Sequence, residues 1–159
     1  MAVREVLVYP EAILKQVADP ASETEAEAIL TDLIDTMRAN DRCVGLAAPQ
    51  IGVPRRVAVV DISAHPHGND SHGLIRLVNP EVTQVSEGTK VSREGCLSLP
   101  DLTANVRRPR KATVETRGES YEVSGFEARC VLHEIDHLDG ILFLDRVASV
   151  TDDIFHRGQ

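Results

Sequence analysis

The clearest periodic pattern in the chain lies between residues 23 and 40, where apolar positions recur at intervals of three and four. This spacing puts them on one helical face and predicts an amphipathic helix near the N-terminus that buries that face. Ser22 followed by Glu25 is the sequence of a capping box and would begin the helix. The predicted buried positions are Ile29, Leu30, Leu33, Ile34 and Met37.

A second helical stretch, residues 125–137, lies near the C-terminal end of the chain. Ser124 followed by Glu127 again has the spacing of a capping box. Gly140 follows the stretch, at a position where a residue in the left-handed conformation commonly ends a helix. These signals predict a second helix with defined start and stop positions.

Between the two helices, short stretches rich in β-branched residues predict strands separated by turns. Residues 6–10 are a short strand or an extended lead-in, and residues 11–18 hold at most two helical turns. Turns are expected at Glu87-Gly88 and at Gly118. The predicted strands are residues 56–62, 74–78, 81–91, 106–116 and 120–123.

Composition places the chain among ordinary globular proteins. Its 159 residues are 42% apolar and 26% charged, which predicts one domain with its own core. No apolar run approaches the roughly 20 residues that span a bilayer, and the first residues lack the apolar stretch of a signal peptide, so a cytoplasmic location is expected. The net charge of −8 argues against general affinity for nucleic acid or anionic membranes.

The second helix carries the most informative chemistry. His133 and His137 are four residues apart and therefore share a helical face, where both imidazoles can bind one metal ion. Glu134 lies beside the first of them and can act as a general base. A catalytic site needs a third protein ligand, and Cys96, next to the small Gly95, is the strongest candidate. A buried, inert thiol is the alternative for Cys96.

The other histidines do not predict a second metal site, and the cysteines do not predict a disulfide framework. His65, His67 and His72 lie in a loop without a glutamate or cysteine near them in sequence, so solvated side chains are expected rather than a second metal site. The chain has three cysteines, an odd number, and no secretion signal, which argues against a disulfide framework.

Residues 43–52 are apolar but are interrupted by glycine and proline, so they predict neither a regular helix nor a regular strand. Small residues with one uncharged amide, Gln50, suit a wall that a substrate backbone approaches closely. A buried loop between helix and sheet fits the same pattern equally well.

Three segments together resemble the peptide deformylase family. They are residues 43–52 (CVGLAAPQIG), 94–98 (EGCLS) and 133–140 (HEIDHLDG), in the order that the family has them. The resemblance covers essentially the whole chain, 1–159, as a single catalytic domain. It implies an α+β fold of mostly antiparallel, short-stranded sheets packed around a central C-terminal metal-binding HExxH helix, with the amphipathic helix at the N-terminal side.

The resemblance also implies a function. The family removes formate from N-formylmethionyl nascent peptides with one divalent metal ion, Fe(II), which Zn, Ni or Co can replace. Glu134 matches the acid–base residue, and Gln50 and the Leu97 backbone N–H match the groups that donate to the oxyanion. Gly45 matches a backbone position that pairs with the bound peptide, and Glu94 with Arg108 matches a supporting ion pair. The matched metal ligands are Cys96, His133 and His137.

The helix also suggests the wall of a methionine pocket. Phe126, Arg129 and Cys130 precede His133 by one to two turns, and with Val44 some of them should line an apolar slot. Cys130 is preferred over Arg129, because the arginine could turn toward solvent. Phe126 and Val44 complete the predicted wall.

The chain departs from the family at three points. Cys43 replaces a glycine that usually opens the first motif, and Leu132 replaces a glutamine before the first histidine, which removes a supporting hydrogen bond. No long basic C-terminal helix follows, so ribosome association through such a helix is not expected. The chain is expected to be a monomer. The rival functions are a metallopeptidase of the general HExxH type and a non-catalytic relative of the family.

Overall fold

Helix α1 spans Glu23–Ala39 and begins with the predicted capping box. The Ser22 side chain accepts a hydrogen bond from the Glu25 backbone N–H, and the Glu25 carboxylate accepts one from the Ser22 N–H. The structure, a computed structural model, describes residues 2–68 and 70–157. The bounds of α1 confirm the helix expected from its apolar spacing.

Within the described ranges, nine strands form three antiparallel sheets of three strands each, in the orders β1-β2-β3, β4-β7-β8 and β5-β6-β9. Short 3₁₀ helices at Ala12–Lys15, Ala48–Ile51 and Phe143–Arg146 connect them. The strands are β1 Gly45–Ala47, β2 Val57–Val60, β3 Ile75–Val78, β4 Glu81–Val85, β5 Thr89–Cys96, β6 Leu99–Pro109, β7 Lys111–Thr116, β8 Glu119–Ser124 and β9 Ile154–His156.

The predicted strand at residues 106–116 is wrong as a single element. It is the end of β6 and the whole of β7, because the chain turns at Arg110, whose N–H donates to the Gly88 carbonyl over 2.9 Å. Strand β9 has no counterpart among the predicted elements. It pairs with residues 102–104 of β6, and its short, polar surroundings give no period-two pattern.

Residues 6–10 form an extended lead-in and not a short strand, the other structure considered for them. The Leu7 N–H donates to the Gln50 carbonyl over 2.7 Å, and the Tyr9 N–H donates to the Ser98 carbonyl over 2.9 Å. The segment therefore ties together the loops that follow β1 and β5.

Helix α2 spans Gly125–Leu138, as predicted, but its capping box is not formed. The Ser124 side chain makes no capping bond, and the Glu127 carboxylate, which would form the other half of the box, is bonded to the His72 backbone N–H and to its ring. The stop signal is confirmed, since Gly140 has a φ of +73°. In the described part of the chain, neither α1 nor α2 has the length and apolarity needed to cross a membrane.

Strand β2 is the centre of the core and is buried along its whole length. Successive side chains of a strand point to opposite faces. Ala58 and Val60 accordingly pack in the cluster that contains the apolar residues of α2, and Val57 and Val59 pack in the cluster that contains those of α1. The two helices thus cover opposite faces of the β1-β2-β3 sheet, and the fold is α+β with antiparallel sheets, as expected.

Replacing Gly140 by alanine is predicted to destabilise the fold strongly. A Cβ there would lie 2.7 Å from the Lys15 carbonyl oxygen, in addition to the strain of a left-handed alanine. Gly118→Ala is the matched control, because Gly118 has a φ of +78° with nothing within 4 Å of the added carbon. We expect a loss of about 1 kcal/mol at Gly118 and roughly 1–3 kcal/mol more at Gly140, measured by urea unfolding. Equal losses would show that the close contact contributes nothing.

Candidate metal centre and active site

Two elements bring three possible metal ligands together. His133 and His137 lie on one side of α2, and Cys96 is the last residue of β5, where the pairing with β6 shifts register. The Cys96 sulfur is 3.4 Å from Nε2 of His137. The donor atoms of all three residues lie within 4.8 Å of one another. No other such group of three occurs in residues 2–68 and 70–157.

The chemistry of this group fits a divalent metal ion. One thiolate and two imidazoles are three protein ligands of the kind that bind Zn²⁺ or Fe²⁺ and leave a coordination position open. Beside them, Oε1 of Glu134 is buried and has no hydrogen-bond partner within the described residues. A buried, unpartnered carboxylate oxygen is costly unless something polar occupies the space that it faces.

Glu94 holds His133 in orientation. Its Oε1 accepts from Nδ1 of His133 over 2.9 Å, which leaves Nε2 of that ring for a metal. Arg108 donates to both oxygens of Glu94, over 2.5 and 3.0 Å. Burial alone would raise the pKa of Glu94, but the bonds from His133 and Arg108 outweigh it and hold that pKa well below its usual value. The predicted ion pair between Glu94 and Arg108 is present.

The ion pair is part of a longer chain of charges. Arg108 also donates to Asp136 over 2.9 Å, and Asp136 accepts two further bonds from Arg146. Asp136 lies between the two histidines in sequence, on the side of α2 that faces β6. The sequence gives no signal for Arg146, which follows the helix and reaches back to it.

Glu134 lies in an environment that brings the pKa of its carboxyl close to neutral pH, where the group can both take up and release a proton. It is buried, and burial raises the pKa of its carboxyl to about 7, against the opposing effect of the His133 and Arg108 charges. Ordinary glutamates titrate near 4.3.

Gln50 is held by three contacts at the end of its 3₁₀ helix. Its Oε1 accepts from the Ala47 N–H over 3.0 Å, and its amide nitrogen donates to Oγ of Ser98 over 3.1 Å and to the Cys96 sulfur over 3.4 Å. Leu97 lies between Cys96 and Ser98, in the turn that joins β5 to β6. Ser98 is a site residue that sequence reasoning missed, although it belongs to the second motif.

Gly45 lies in β1 where an added side chain would displace the Glu134 carboxylate. A Cβ there would be 2.6 Å from Oε2 of Glu134. The carbonyl of Gly45 accepts a hydrogen bond from the Cys43 thiol over 3.2 Å, so the cysteine that replaces a family glycine has a partner inside the site. Burial raises the pKa of the Cys43 thiol to about 12, which keeps it protonated and able to donate.

A pocket of about 530 Å³ opens next to these groups. His65 also lines it, stacked on Phe126 with ring centroids 4.3 Å apart, so this loop histidine is not the solvated side chain that was expected. His67 and His72 are exposed, as expected, although the His72 ring also bonds to Glu127. Among the predicted residues that line the pocket are Val44, Gly45, Gln50, Cys96, Leu97, Phe126, Cys130, His133 and Glu134.

Arg129 corrects another expectation, since it does not turn toward solvent. It is only 7% exposed, donates to Glu94 over 2.7 Å and contributes to the lining of the pocket. Cys130 also lines the pocket, as predicted, and burial raises the pKa of its thiol. Leu132, at the position of the family glutamine, packs in the apolar core.

The Cys-His-His group, with a buried carboxylate and an open pocket beside it, is the arrangement of a metal-dependent hydrolase. The sequence profile of the polypeptide deformylase family matches residues 3–153. A peptide deformylase of Thermodesulfovibrio yellowstonii is 40% identical over 164 aligned positions, which cover 99% of this chain and 96% of that protein. The chain therefore belongs to the polypeptide deformylase family, whose enzymes remove N-terminal formyl groups.

Solved structures agree with the assignment. The class I type b peptide deformylase of Acinetobacter baumannii with bound Met-Ala-Ser has a TM-score of 0.81 at 35% identity, over 92% of this chain and 100% of that one. The peptide deformylase of Thermotoga maritima has a TM-score of 0.80 at 33% identity, over 94% and 100% of the two chains. The rival functions, a metallopeptidase and a non-catalytic relative, are not supported.

The purified chain is predicted to bind one divalent metal ion through Cys96. Titration of the metal-free protein with Co(II) should produce a sulfur-to-metal charge-transfer band, because a thiolate is among the ligands. Cys96→Ser should abolish the band and weaken binding, and Cys130→Ser, outside the donor group, should keep both. A band that survives Cys96→Ser would contradict this ligand set.

Proposed function

We propose that this chain removes the formyl group from N-formylmethionyl nascent peptides, with Glu134 as the residue that moves the proton. The observation that carries the proposal is the buried, unpartnered Oε1 of Glu134 beside the three donors. A carboxylate oxygen with a free lone pair at such a position is suited to accept a proton from a water molecule in the pocket.

Cys96, His133 and His137 would hold the metal ion in this proposal. A bound divalent ion supplies Lewis-acid polarisation of water and of the formyl carbonyl. The sulfur and two nitrogens are compatible with Fe(II), which we propose as the resident ion, and with Zn, Ni or Co in its place. Glu94 and Arg108 keep the His133 ring fixed, since Glu94 accepts from its Nδ1.

The proton transfers follow from the position of Glu134. As a water molecule adds to the formyl carbon, Glu134 takes one of its protons. The C–N bond to the methionine nitrogen then breaks, and Glu134 gives the proton to that departing nitrogen. The products are formate and a peptide with a free amino group, so no other co-reactant than water is needed.

The negative charge that develops on the formyl oxygen needs donors. We propose that the Gln50 amide and the Leu97 backbone N–H supply them. The two hydrogens of the Gln50 amide are directed at Ser98 and at the Cys96 sulfur, and the contact to sulfur, at 3.4 Å, is the longer of the two. An oxyanion can replace that longer contact while the bond to Ser98 keeps the amide in position.

The peptide itself is proposed to lie along β1, where Gly45 offers backbone groups and no side chain. Its methionine would enter the slot lined by Val44, Phe126 and Cys130, which contribute to the wall of the 530 Å³ pocket. The structure of the Acinetobacter baumannii relative with Met-Ala-Ser, a peptide that begins with methionine, supports this choice of substrate.

The rest of the proposal concerns the working unit. Residues 1–159 act as one catalytic domain and as a monomer, in the cytoplasm where nascent chains emerge. The net charge of −8 supports the absence of a nucleic-acid or membrane partner. The segment at Ile154–His156 is a strand that pairs with β6, so this segment does not supply a basic helix.

The activity is tested by formate release from formyl-Met-Ala-Ser under anaerobic conditions with Fe(II) or Ni(II) bound. Glu134→Gln should lower kcat by about 10²–10⁴-fold, because the amide cannot accept the proton. Glu127→Gln is the matched control, a buried glutamate on the same helix that bonds to His72 instead. No release by the metal-bound wild-type chain, or equal effects of the two substitutions, would exclude the proposal.

Gln50→Ala is predicted to lower kcat by about 10²-fold, the usual effect of losing one oxyanion donor. Ser98→Ala removes only the bond that anchors the amide, and we expect a loss below tenfold. Steady-state kinetics at saturating peptide separate the two. If Ser98→Ala lowers kcat as much as Gln50→Ala does, the bond between the Gln50 amide and Ser98 would account for the effect, and the amide would not be assigned a direct contact with the substrate.

A further inference from the structure

Arg129 links helix α2 to both strands of the β5–β6 hairpin. Its Nη1 donates to Oε2 of Glu94 over 2.7 Å and to the Val106 carbonyl over 2.9 Å, and its Nη2 donates to the Lys90 carbonyl over 2.7 Å. The planar guanidinium can make these bonds together because its donors diverge in a fixed fork. The side chain is about as buried as a core residue, at 7% exposure.

The bond to Glu94 completes the set of partners of that carboxylate. Oε1 accepts from His133 and Arg108, and Oε2 accepts from Arg108 and Arg129. A carboxylate has about four lone-pair sites, so each of these positions is filled. Without Arg129, Oε2 would keep one donor in a buried place, and the carboxylate could tilt away from the His133 ring.

Arg129 also lies at the pocket. The residue contributes to the lining of the pocket together with Cys130 and Phe126, although its charged end is turned inward to Glu94. Long basic side chains commonly cover apolar surface with their carbon stems while the charged end bonds elsewhere. The stem and the guanidinium can therefore be tested separately by substitution.

We propose that Arg129 is a positioning residue for the metal ligand His133 and acts on it through Glu94, while its stem forms part of the wall that the first residue of the peptide contacts. The proposal rests on the deformylase function given above. Its two parts predict different effects, one on metal affinity and one on the recognition of the peptide.

The first test is Arg129→Met, which keeps an unbranched apolar stem and removes the guanidinium. We expect the affinity for Co(II) to fall by about 10–100-fold, the usual effect of disturbing a group that orients a metal ligand. The Co(II) affinity of Arg129→Lys should lie between those of Arg129→Met and the wild type, since an ammonium can bond to Glu94 but not to all three acceptors. Arg56→Met is the matched control, because Arg56 bonds to Leu138 and Asp139 at the far end of α2.

Stability and metal affinity are measured on the same variants, by urea unfolding and by Co(II) titration. A merely structural Arg129 would lose stability, as Arg56→Met should, and leave the affinity of the folded protein unchanged. That result, with Arg129→Met and Arg56→Met alike in Co(II) affinity, would overturn the first part of the proposal.

A double-mutant cycle tests whether the effect passes through Glu94. If Arg129 acts on His133 by holding Glu94, then Arg129→Met should cause little further loss of Co(II) affinity in a Glu94→Gln background. Additive losses would overturn this route. If Glu94→Gln does not fold, the same cycle is run in a Glu94→Asp background, where additive losses would likewise overturn the route.

The stem is tested by Arg129→Ala against Arg129→Met, in the metal-saturated form. Alanine should raise KM for formyl-Met-Ala-Ser several-fold relative to methionine and leave kcat similar, because only the wall differs between them. Equal KM values would overturn this part. Co(II) affinity is measured without peptide, so a wild-type chain that binds metal but releases no formate would refute the proposed function and leave the positioning role to be judged on its own data.

Discussion

The Glu94 carboxylate is the interaction on which the remainder of the site depends. It is buried, and an isolated buried charge would be very costly, yet it accepts bonds from β6 through Arg108 and from α2 through Arg129 and His133. These donors surround it only when the β5–β6 hairpin and α2 are packed together. The arrangement of the three candidate ligands is therefore coupled to folding of the core.

The same coupling explains the unusual burial of α2, in which every residue from Glu127 to Leu138 is buried. One side of the helix packs its apolar residues against β2 and its neighbouring strands. Its polar residues are buried as well: Asp136 accepts bonds from Arg108 and Arg146, His137 contacts the Cys96 sulfur, and Glu134 lines the pocket with one oxygen unpartnered among the described residues. An ordinary amphipathic helix, such as α1, instead turns its polar side to water.

Local patterns in the sequence predicted what depends on near neighbours. The spacing of apolar residues gave α1, and the four-residue interval put His133 and His137 on one side of α2. The failures involve partners distant in sequence: Glu127 bonds to His72 rather than capping the helix, and Arg129 bonds to Glu94, 35 residues away. The position of a residue in a helix shows the direction of its side chain but not which residues lie in that direction. Strand β9 likewise depends on a partner, the edge of β6 with which it pairs.

Cys43 has a consequence for how affinity for the peptide arises. Its thiol already donates to the Gly45 carbonyl, so a peptide N–H that pairs with this carbonyl, as proposed above, would share it with the thiol or displace the thiol. Such an exchange contributes less than a bond formed with an unpaired group, since the net gain of a hydrogen bond is only about 0.5–1.5 kcal/mol even against water. In the proposed function, discrimination among bound peptides would then depend mainly on dehydration of the first side chain, and backbone pairing would align the peptide more than it tightens binding.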